Sequence, residues 1–366
     1  MRLLLKTSHK GAMMQRLIAA GLLILVSFVS FSQTDSTAYK KRKLDPVEVN
    51  ILYGYYDQNG YHSAITGGLG SEKLDVHSST LNFIIPLDTS IDLTLEAGAD
   101  IITSASTDKI DFIMSSASEV DVHHHAKLGY QHELGEWKYG VAYSYSMESD
   151  YFSNGAHFNI SRTNKDRNTT VALAGQLYFD YVTWGWHQFE GSVRSIIPAE
   201  LRQDGIERDI RENRFSYNFN LSVTRNFTKR LNGGFFFSPA YQTGQLATPY
   251  HRVYLDGIDK AVIELLPFSR LKIPIGIRAN YFAFDKFILR WMYRFYWDDY
   301  GIVSHMTGID IPIKISAFFT VDPFYRLYNQ TAATYFSGYR KHQIGEEFYT
   351  SDFDLSAFSS HKFGLG

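Results

Sequence analysis

The feature that most constrains the fold is a strict alternation of apolar and polar side chains along several long runs. In the clearest run, Lys286–Asp298, every second residue is large and apolar or aromatic, and the positions between them hold four charged residues with Ile288, Met292 and Tyr296. Such alternation places the two sets of side chains on opposite faces of a β-strand. The apolar set is Phe287, Leu289, Trp291, Tyr293, Phe295 and Trp297, and the charged set is Lys286, Arg290, Arg294 and Asp298.

Similar alternation recurs at residues 91–100, 271–278 and 309–321. Strands of a soluble β-sandwich also alternate, but they average about five or six residues. The longest runs here have about 10 to 14 residues, enough for a tilted strand to cross a bilayer. The pattern therefore predicts an all-β fold, a transmembrane antiparallel up-and-down β-barrel, in preference to a sandwich.

The composition agrees with two different faces. Aromatic residues make up 16% of the chain, with 25 Tyr and 27 Phe, yet the mean hydropathy is only -0.20. A barrel with an apolar, aromatic lipid face and a polar lumen has this composition. With 36 Lys+Arg against 38 Asp+Glu, no basic field favours nucleic acid as a partner.

The N-terminus has the three parts of a secretory signal peptide: a basic region, an apolar run over residues 17–29, and small residues at Ser30 and Ser32. The apolar run is shorter than the roughly 20 residues of a spanning helix, which favours a signal peptide over a membrane anchor. We predict a signal peptide at 1–32, a periplasmic tail at 33–45 and a barrel at 46–366. The absence of cysteine excludes a lipoprotein anchor and a disulfide framework.

An exported barrel implies localisation in the outer membrane of a Gram-negative bacterium, with outer-membrane lipids and the barrel assembly machinery as partners. The tail carries the basic cluster Lys40–Lys43. We interpret the tail as solvated; the alternative is an electrostatic contact with an acidic periplasmic partner or with lipid headgroups.

Connection lengths predict the topology, because bacterial barrels place short turns in the periplasm and long loops outside. The two classes interleave if Trp186–Val193 belongs to a loop rather than to a crossing strand. The predicted short turns are Leu87–Ser90, Glu133–Glu136, Thr163–Arg167, Arg225–Asn232, Phe284–Asp285 and Val321–Pro323. The predicted long loops are Asp57–Asp75, Ser104–Val120, Glu148–Ser153, Tyr181–Asn213, Gly244–Arg270, Asp299–Met306 and Gly338–Ser351.

This division gives about 14 strands, the last beginning near Asp354. The sequence stops within what reads as a strand, at Phe363–Gly366. We interpret this ending as a truncation of a chain with one more hairpin, about 16 strands in all; an atypical ending is the alternative.

The strongest candidate for chemistry lies between Glu119 and Gln131. Asp121, His123 and His125 fall on one strand face, predicted to be lumenal, and imidazole with carboxylate is a ligand set for a divalent metal. The alternative is an ordinary polar lumen wall. The positive charge of Lys127 nearby disfavours the binding of a cation. A further ligand is expected from a neighbouring strand, with Asp92, Glu96 and Asp100 as candidates.

The glycine-rich segment of the first long loop lacks the Gly-Lys-Ser/Thr ending of a P-loop, so phosphate binding is not expected. Glycine permits tight backbone packing, and we predict that this loop folds into the barrel mouth and constricts the lumen. The residues assigned to the constriction are His62, Ser63, Thr66, Gly67, Gly68, Gly70 and Glu72.

Two enzymatic alternatives have weak signals. His77-Ser78-Ser79 superficially resembles the His and Ser of a barrel phospholipase, and Asp121 with His123 resembles the Asp–His pair of a barrel protease. Neither has an evident partner set. We expect no enzyme and no cofactor, apart from the divalent metal considered above.

Several motifs carry a family resemblance. The segment 59–72, NGYHSAITGGLGSE, is the most specific of them; Ser115–Ser118, Thr248–Tyr250, Trp297–Gly301 and Tyr325–Ala333 add to it. From about Asp45 onward the chain resembles the bacterial family catalogued as domain of unknown function 3570, although Lys73 replaces an expected acidic residue. The resemblance implies an outer-membrane barrel, a source such as Bacteroidota and a link to a periplasmic redox protein, and it implies no catalytic residue.

Two functions from different classes remain. The first is a porin-like channel or conduit, because a barrel of about 14 to 16 strands encloses a lumen. The second is a scaffold whose lumen and loops hold a partner.

Overall fold

The computed structural model describes residues 44–58, 74–103, 120–148, 151–183, 186–189, 192–195, 211–247, 252–284 and 287–366. Its strands are β1 Glu48–Gln58, β2 Leu74–Asp88, β3 Ile91–Thr103, β4 Val120–Leu134, β5 Trp137–Met147, β6 Tyr151–Thr163, β7 Thr169–Thr183, β8 Trp186–Phe189, β9 Ser192–Ser195, β10 Arg211–Asn226, β11 Leu231–Phe237, β12 Ala240–Gly244, β13 Arg252–Val253, β14 Val262–Ile263, β15 Ser269–Phe284, β16 Phe287–Asp298, β17 Val303–Asp310, β18 Ile313–Lys314, β19 Thr320–Val321, β20 Pro323–Gln330 and β21 Phe358–Leu365. No helix in these described ranges is long and apolar enough to cross a membrane.

One sheet of 17 strands contains everything except the small pairs β8–β9 and β13–β14. Three of its strands extend a neighbour: β12 continues β11 along β10, β18 continues β17 along β16, and β19 leads into β20. The sheet thus has 14 antiparallel segments, each paired with the next along the chain. In the part of the chain that is described, no pairing joins β1 to β21.

This meander confirms the predicted fold class, an all-β, antiparallel up-and-down transmembrane barrel of about 14 strands. The predicted excursion at Trp186–Val193 is also confirmed, since β8 pairs with β9 and not with the large sheet. The predicted signal peptide, nearly all of the predicted tail and the glycine-rich loop lie outside the described residues. The further hairpin therefore stays a prediction.

The prediction of a single strand over residues 309–321 is wrong. β17 ends at Asp310, and the chain reverses over residues 315–319, where the amides of Ile315 and Ser316 both donate to the carbonyl of Phe319 at 3.0 Å. Pro312 lacks an N–H and interrupts the ladder with β16. The turn predicted at Val321–Pro323 consequently lies within the returning strand.

The connection predicted as a long loop at Asp299–Met306 is a tight turn, because β17 already begins at Val303. Asp298 holds the turn: its Oδ1 accepts a hydrogen bond from the amide of Ile302 at 2.9 Å. Gly301 adopts φ +90°, which a side chain would strain. The last strand begins at Phe358, after a short 3₁₀ turn at Phe353–Leu355, and not near Asp354.

The two faces of the sheet differ as the alternation predicts. The outward face carries large apolar and aromatic side chains that are widely exposed, such as Leu128, Tyr143 and Leu289. The inward face carries Asn, Ser, Gly and charged residues at the positions between them. This arrangement suits lipid outside and water inside.

Four outward-facing histidines of the described strands are paired with tyrosines of the adjacent strand. Four tyrosine hydroxyls bond a histidine Nδ1 at 2.6–2.8 Å, which satisfies a polar ring that faces lipid. The pairs are Tyr53–His77, Tyr139–His132, Tyr293–His305 and Tyr325–His361.

One end of the sheet is covered by two long connections, which we call the cap; their described residues are 245–247 with 252–268, and 331–357. Bridges Leu255–His342 and Leu265–Tyr349 join them, and the bridge Phe336–Thr350 lies within the second connection. A small core of Ala247, Leu266, Tyr300, Ile302, Ala333 and Leu355 holds them together. Tyr296, an inward residue of β16, packs against this core, so the cap contacts the inner face of the sheet.

Candidate functional site

The inner face brings the predicted histidines together with a carboxylate of the neighbouring strand. β3 and β4 pair antiparallel from Ile91–His132 to Thr103–Val120 without a register shift. In that register Asp100 lies opposite His123, and Gly98 lies opposite His125. Asp100, His123 and His125 therefore share one patch of the inner wall.

The three side chains are close enough to hold one ion. One ligand atom from each lies within 4.8 Å of the others. His123 Nδ1 is 3.0 Å from Asp100 Oδ2, and the two imidazole ring centroids are 5.4 Å apart. Imidazole nitrogens with one carboxylate oxygen form a set that zinc and other divalent transition metals accept.

The patch holds an unsatisfied ligand atom. His125 Nδ1 is buried and has no hydrogen-bond partner in the described structure. Leaving a buried polar atom unpaired costs free energy, and a bound cation would relieve this cost. His123 is oriented from its other side, since its Nε2 lies 2.7 Å from the hydroxyl of Ser146 on β5.

Gly98 makes room for this arrangement. A Cβ at this position would lie 2.5 Å from the His125 ring, so the ring occupies the space that a side chain would need. The small residue on β3 thus lets His125 lie against the inner wall next to Asp100. Alternation alone does not reveal this role.

The structure brings two residues of the predicted metal set together with a neighbouring carboxylate. His123 and His125 share a face as predicted, and of the three neighbouring carboxylates only Asp100 joins them. Glu96 lies opposite Lys127 and accepts from the amide of Asn82 at 3.3 Å, and Asp92 lies opposite Gln131. The side chain of Asp121 lies outside the described residues, so its role stays a prediction.

The predicted constriction in the first long loop, from His62 to Glu72, also lies outside the described residues. A different narrow region is visible beneath the cap. A cavity of about 130 Å³ is lined by Arg214, Gln242, Leu246, Glu264, Leu266, Arg270, Tyr300, Asp352 and Leu355. Sequence reasoning missed it because its walls come from three strands and two loops far apart in the chain.

Charged pairs order the wall of this cavity. Asp298 is completely buried and accepts from Arg270 at 2.5 Å and from the hydroxyl of Tyr296 at 2.8 Å. The guanidinium of Arg270 also lies 4.5 Å from the ring centroid of Tyr300. On the adjacent wall, Arg214 donates to Asp180 at 2.8 Å.

Burial raises the pKa of the Tyr300 phenol well above its ordinary value, so this hydroxyl keeps its proton and donates to the carbonyl of Pro267 at 2.8 Å. That bond connects the turn after β16 to the cap. The mouth is therefore held by a network of side chains from strands and cap together.

The residues of the phospholipase alternative do not form a hydrogen-bonded pair in the described structure. His77 Nδ1 bonds the hydroxyl of Tyr53, and the hydroxyl of Ser79 donates to the carbonyl of Ala99. Ser78 lies on the opposite face of the strand from both.

Comparison with known proteins places the chain by sequence. A family model described as "Protein of unknown function (DUF3570)" matches residues 14–366. The chain belongs to this family. The resemblance seen in the motifs is thereby confirmed over nearly the whole chain. No curated protein matches it.

Solved structures with the same general architecture are distant in sequence. A loop-deletion mutant of OmpT, an outer membrane protein of Vibrio cholerae, has 11% identity, with 79% of this chain and 96% of that chain covered, at a TM-score of 0.43. The ferric yersiniabactin uptake receptor FyuA of Yersinia pestis has 8% identity, with 78% and 56% covered, at 0.40. The toluene transporter TodX of Pseudomonas putida has 9% identity, with 78% and 83% covered, at 0.33. At these TM-scores the likeness adds no argument about function.

Proposed function

We propose that this protein is a channel or conduit across the outer membrane of a Gram-negative bacterium. The observation that carries the proposal is the difference between the two faces of the 14 segments: the outward face is mostly apolar and aromatic, and the inward face holds most of the charged and polar side chains, with a few aromatic rings such as Phe236 and Phe324 among them. A barrel of this size encloses a lumen wide enough for solutes. The cap contacts the inner face at one end and narrows the path there.

Single-channel recording of the purified full-length protein in planar bilayers tests this function. We expect steady ohmic conductance. Asn218→Trp adds bulk on the inward face of β10 and should lower the conductance, whereas its outward neighbour Phe219→Trp should leave it unchanged. A protein that inserts but stays silent would contradict the channel and favour the scaffold, with a periplasmic redox protein as the partner that the family resemblance implies.

We also propose that Asp100, His123 and His125 bind a divalent transition metal on the inner wall. The orphaned Nδ1 of His125 next to a preformed His123–Asp100 pair favours this binding. Three protein ligands leave a fourth position for water, as in open zinc sites.

Calorimetric titration of zinc into the purified protein in detergent tests the metal site. We expect binding that is lost in His125→Ala and strongly weakened in Asp100→Asn. His157→Ala is the matched control, because His157 also faces inward but its Nε2 bonds Ser144 at 2.8 Å without a carboxylate. Equal binding by the wild type and His125→Ala, or no binding by either, would refute the site.

A further inference from the structure

One sector of the inner wall, formed by β15, β16, β17, β20 and β21, is strongly cationic. By register, the inward positions of these strands hold seven cationic side chains and two acidic ones in the described structure. Arg270 and Lys272 lie near the mouth, where Arg270 is paired with Asp298 and Lys272 donates to Gln242. The other five form what we call the cationic strip: Arg278, Arg290, Arg294, Arg326 and Lys362.

The strip is continuous across the strands. Arg278 lies opposite Met292, Met292 opposite Gly308, and Gly308 opposite Arg326, which in turn lies opposite Lys362. These residues make one row across the inner wall. Arg290 lies two residues to one side of the row and Arg294 two residues to the other, so the strip also extends by about 13 Å along β16 at roughly 3.3 Å per residue.

None of the five cations takes part in an ion pair among the described residues. Asp310 lies in register with Arg290, but no salt bridge joins them. All five side chains are exposed on the inner face. Clustered like charges that no carboxylate neutralises repel one another, and anions from solution relieve that repulsion.

The neighbouring side chains keep the guanidinium groups in place. Arg278 lies over the ring of Phe236 at 5.3 Å and Arg326 over the ring of Phe324 at 5.5 Å. Both rings also face inward. A Cβ at Gly308 would be 3.4 Å from Cγ of Arg326, so the stem of that arginine lies along the wall above the glycine. Stacked guanidinium groups keep their N–H donors free for carboxylate or phosphate oxygens.

We propose that the cationic strip is a binding path for small oxyanions, solutes that carry carboxylate or phosphate groups, through the lumen. This inference rests on the proposed channel and names its solute class. Adjacent strands lie about 4.8 Å apart, so the five long cationic side chains cover neighbouring parts of one wall, and an anion can pass along it beside a positive surface. Arg214 at the mouth is paired with Asp180, and the His123–Asp100 patch lies on another sector, so neither replaces the strip.

Ion selectivity in a planar bilayer tests the proposal. Under a tenfold potassium chloride gradient, the wild type should show a reversal potential of the sign set by chloride. In Arg294→Gln/Arg326→Gln, the permeability ratio of chloride to potassium should fall to about one, because the local field of the wall is reduced. Lys229→Gln/Arg230→Gln is the matched control: it removes the same charge from the turn at residues 227–230, away from the strip, and should keep the wild-type ratio.

Citrate binding, measured by calorimetry on the same proteins in detergent, separates the two proposals. Conductance with preference for cations, or anion preference unchanged in the strip variant, would overturn the strip and leave the channel standing. A silent barrel that binds citrate, and loses that binding in the strip variant, would reject the channel and support the anion site. A silent barrel without citrate binding would reject both.

Discussion

At the scale of single residues, neighbours in the sequence meet opposite surroundings. Leu289 points outward and is 40% exposed, whereas Arg290 points inward with the cationic strip. A charge on the lipid face must be taken out of water, but an apolar side chain in a water-filled lumen carries little penalty.

Leu289→Arg should therefore lower the free energy of unfolding by about 2–4 kcal/mol if it lies near the bilayer midplane. Arg290→Leu should cost much less and serves as the matched variant. Urea unfolding in lipid vesicles, followed by tryptophan fluorescence, measures both. Equal costs, or a larger cost for Arg290→Leu, would mean that the faces are inverted.

The metal site shows which of its features can be predicted from residue spacing. Period-two spacing correctly placed His123 and His125 on one face. It left three carboxylates of β3 as equal candidates, because the choice depends on the register between β3 and β4, which the spacing within a single strand does not determine. The unpaired Nδ1 of His125 and the space above Gly98 are properties of packing that no spacing rule contains.

At the scale of elements, the cap is an ordered structure and not a pair of loose loops. His342 is almost fully buried; its Nδ1 lies 2.6 Å from Glu346 Oε2 and its Nε2 2.9 Å from the carbonyl of Thr350. The amide of Gln343 donates to Glu346 Oε1 at 2.8 Å. One carboxylate thus closes the loop at residues 342–346.

This carboxylate makes the cap sensitive to acid. The amide of Gln343, and next the imidazole of His342, hold the pKa of Glu346 below its ordinary value of 4.5. A depressed carboxyl pKa contributes stability that is present above the unfolded value and is lost as the pH falls through the folded one. We therefore expect the amides of residues 342–346 to exchange faster, after correction for intrinsic rates, only at pH values below the ordinary pKa of glutamate.

Hydrogen exchange with mass spectrometry across that range measures the effect. Glu346→Gln should remove the pH dependence and raise exchange at neutral pH, while its exposed neighbour Glu347→Gln should behave as the wild type. If the protection of residues 342–346 stays constant as the pH falls to the ordinary pKa of glutamate and below, Glu346 does not hold this loop.

Elements also show where alternation misleads. The run 309–321 alternates almost perfectly, yet Pro312 interrupts the ladder and the hairpin turns three residues later. Proline has no backbone N–H to donate to the ladder, and an alternation of apolar and polar residues does not show this. The connection after Asp298 shows the opposite case. It was predicted as a long loop, but it is a four-residue turn because the buried carboxylate of Asp298 accepts a hydrogen bond from the amide of Ile302.

At the scale of the whole molecule, the fold class and the number of segments followed from the sequence. The reason is physical: a barrel in lipid must satisfy every backbone group by pairing neighbouring strands, so strand length and alternation nearly determine the topology. The cap did not follow from the sequence, because it forms between segments far apart in the chain, as in the bond between Thr350 and Glu264, which are 86 residues apart.

We propose that this sheet crosses the outer membrane with the cap outside and the short turns in the periplasm. Cysteine labelling tests it most directly, because the chain has no cysteine of its own. Lys260 in the cap and Lys165 in the β6–β7 turn are matched exposed positions. In intact cells, a maleimide too bulky to pass the outer membrane should label Lys260→Cys, and should label Lys165→Cys only after the membrane is permeabilised. Labelling of Lys165→Cys in intact cells, with Lys260→Cys protected, would show that the short turns lie outside and the cap in the periplasm.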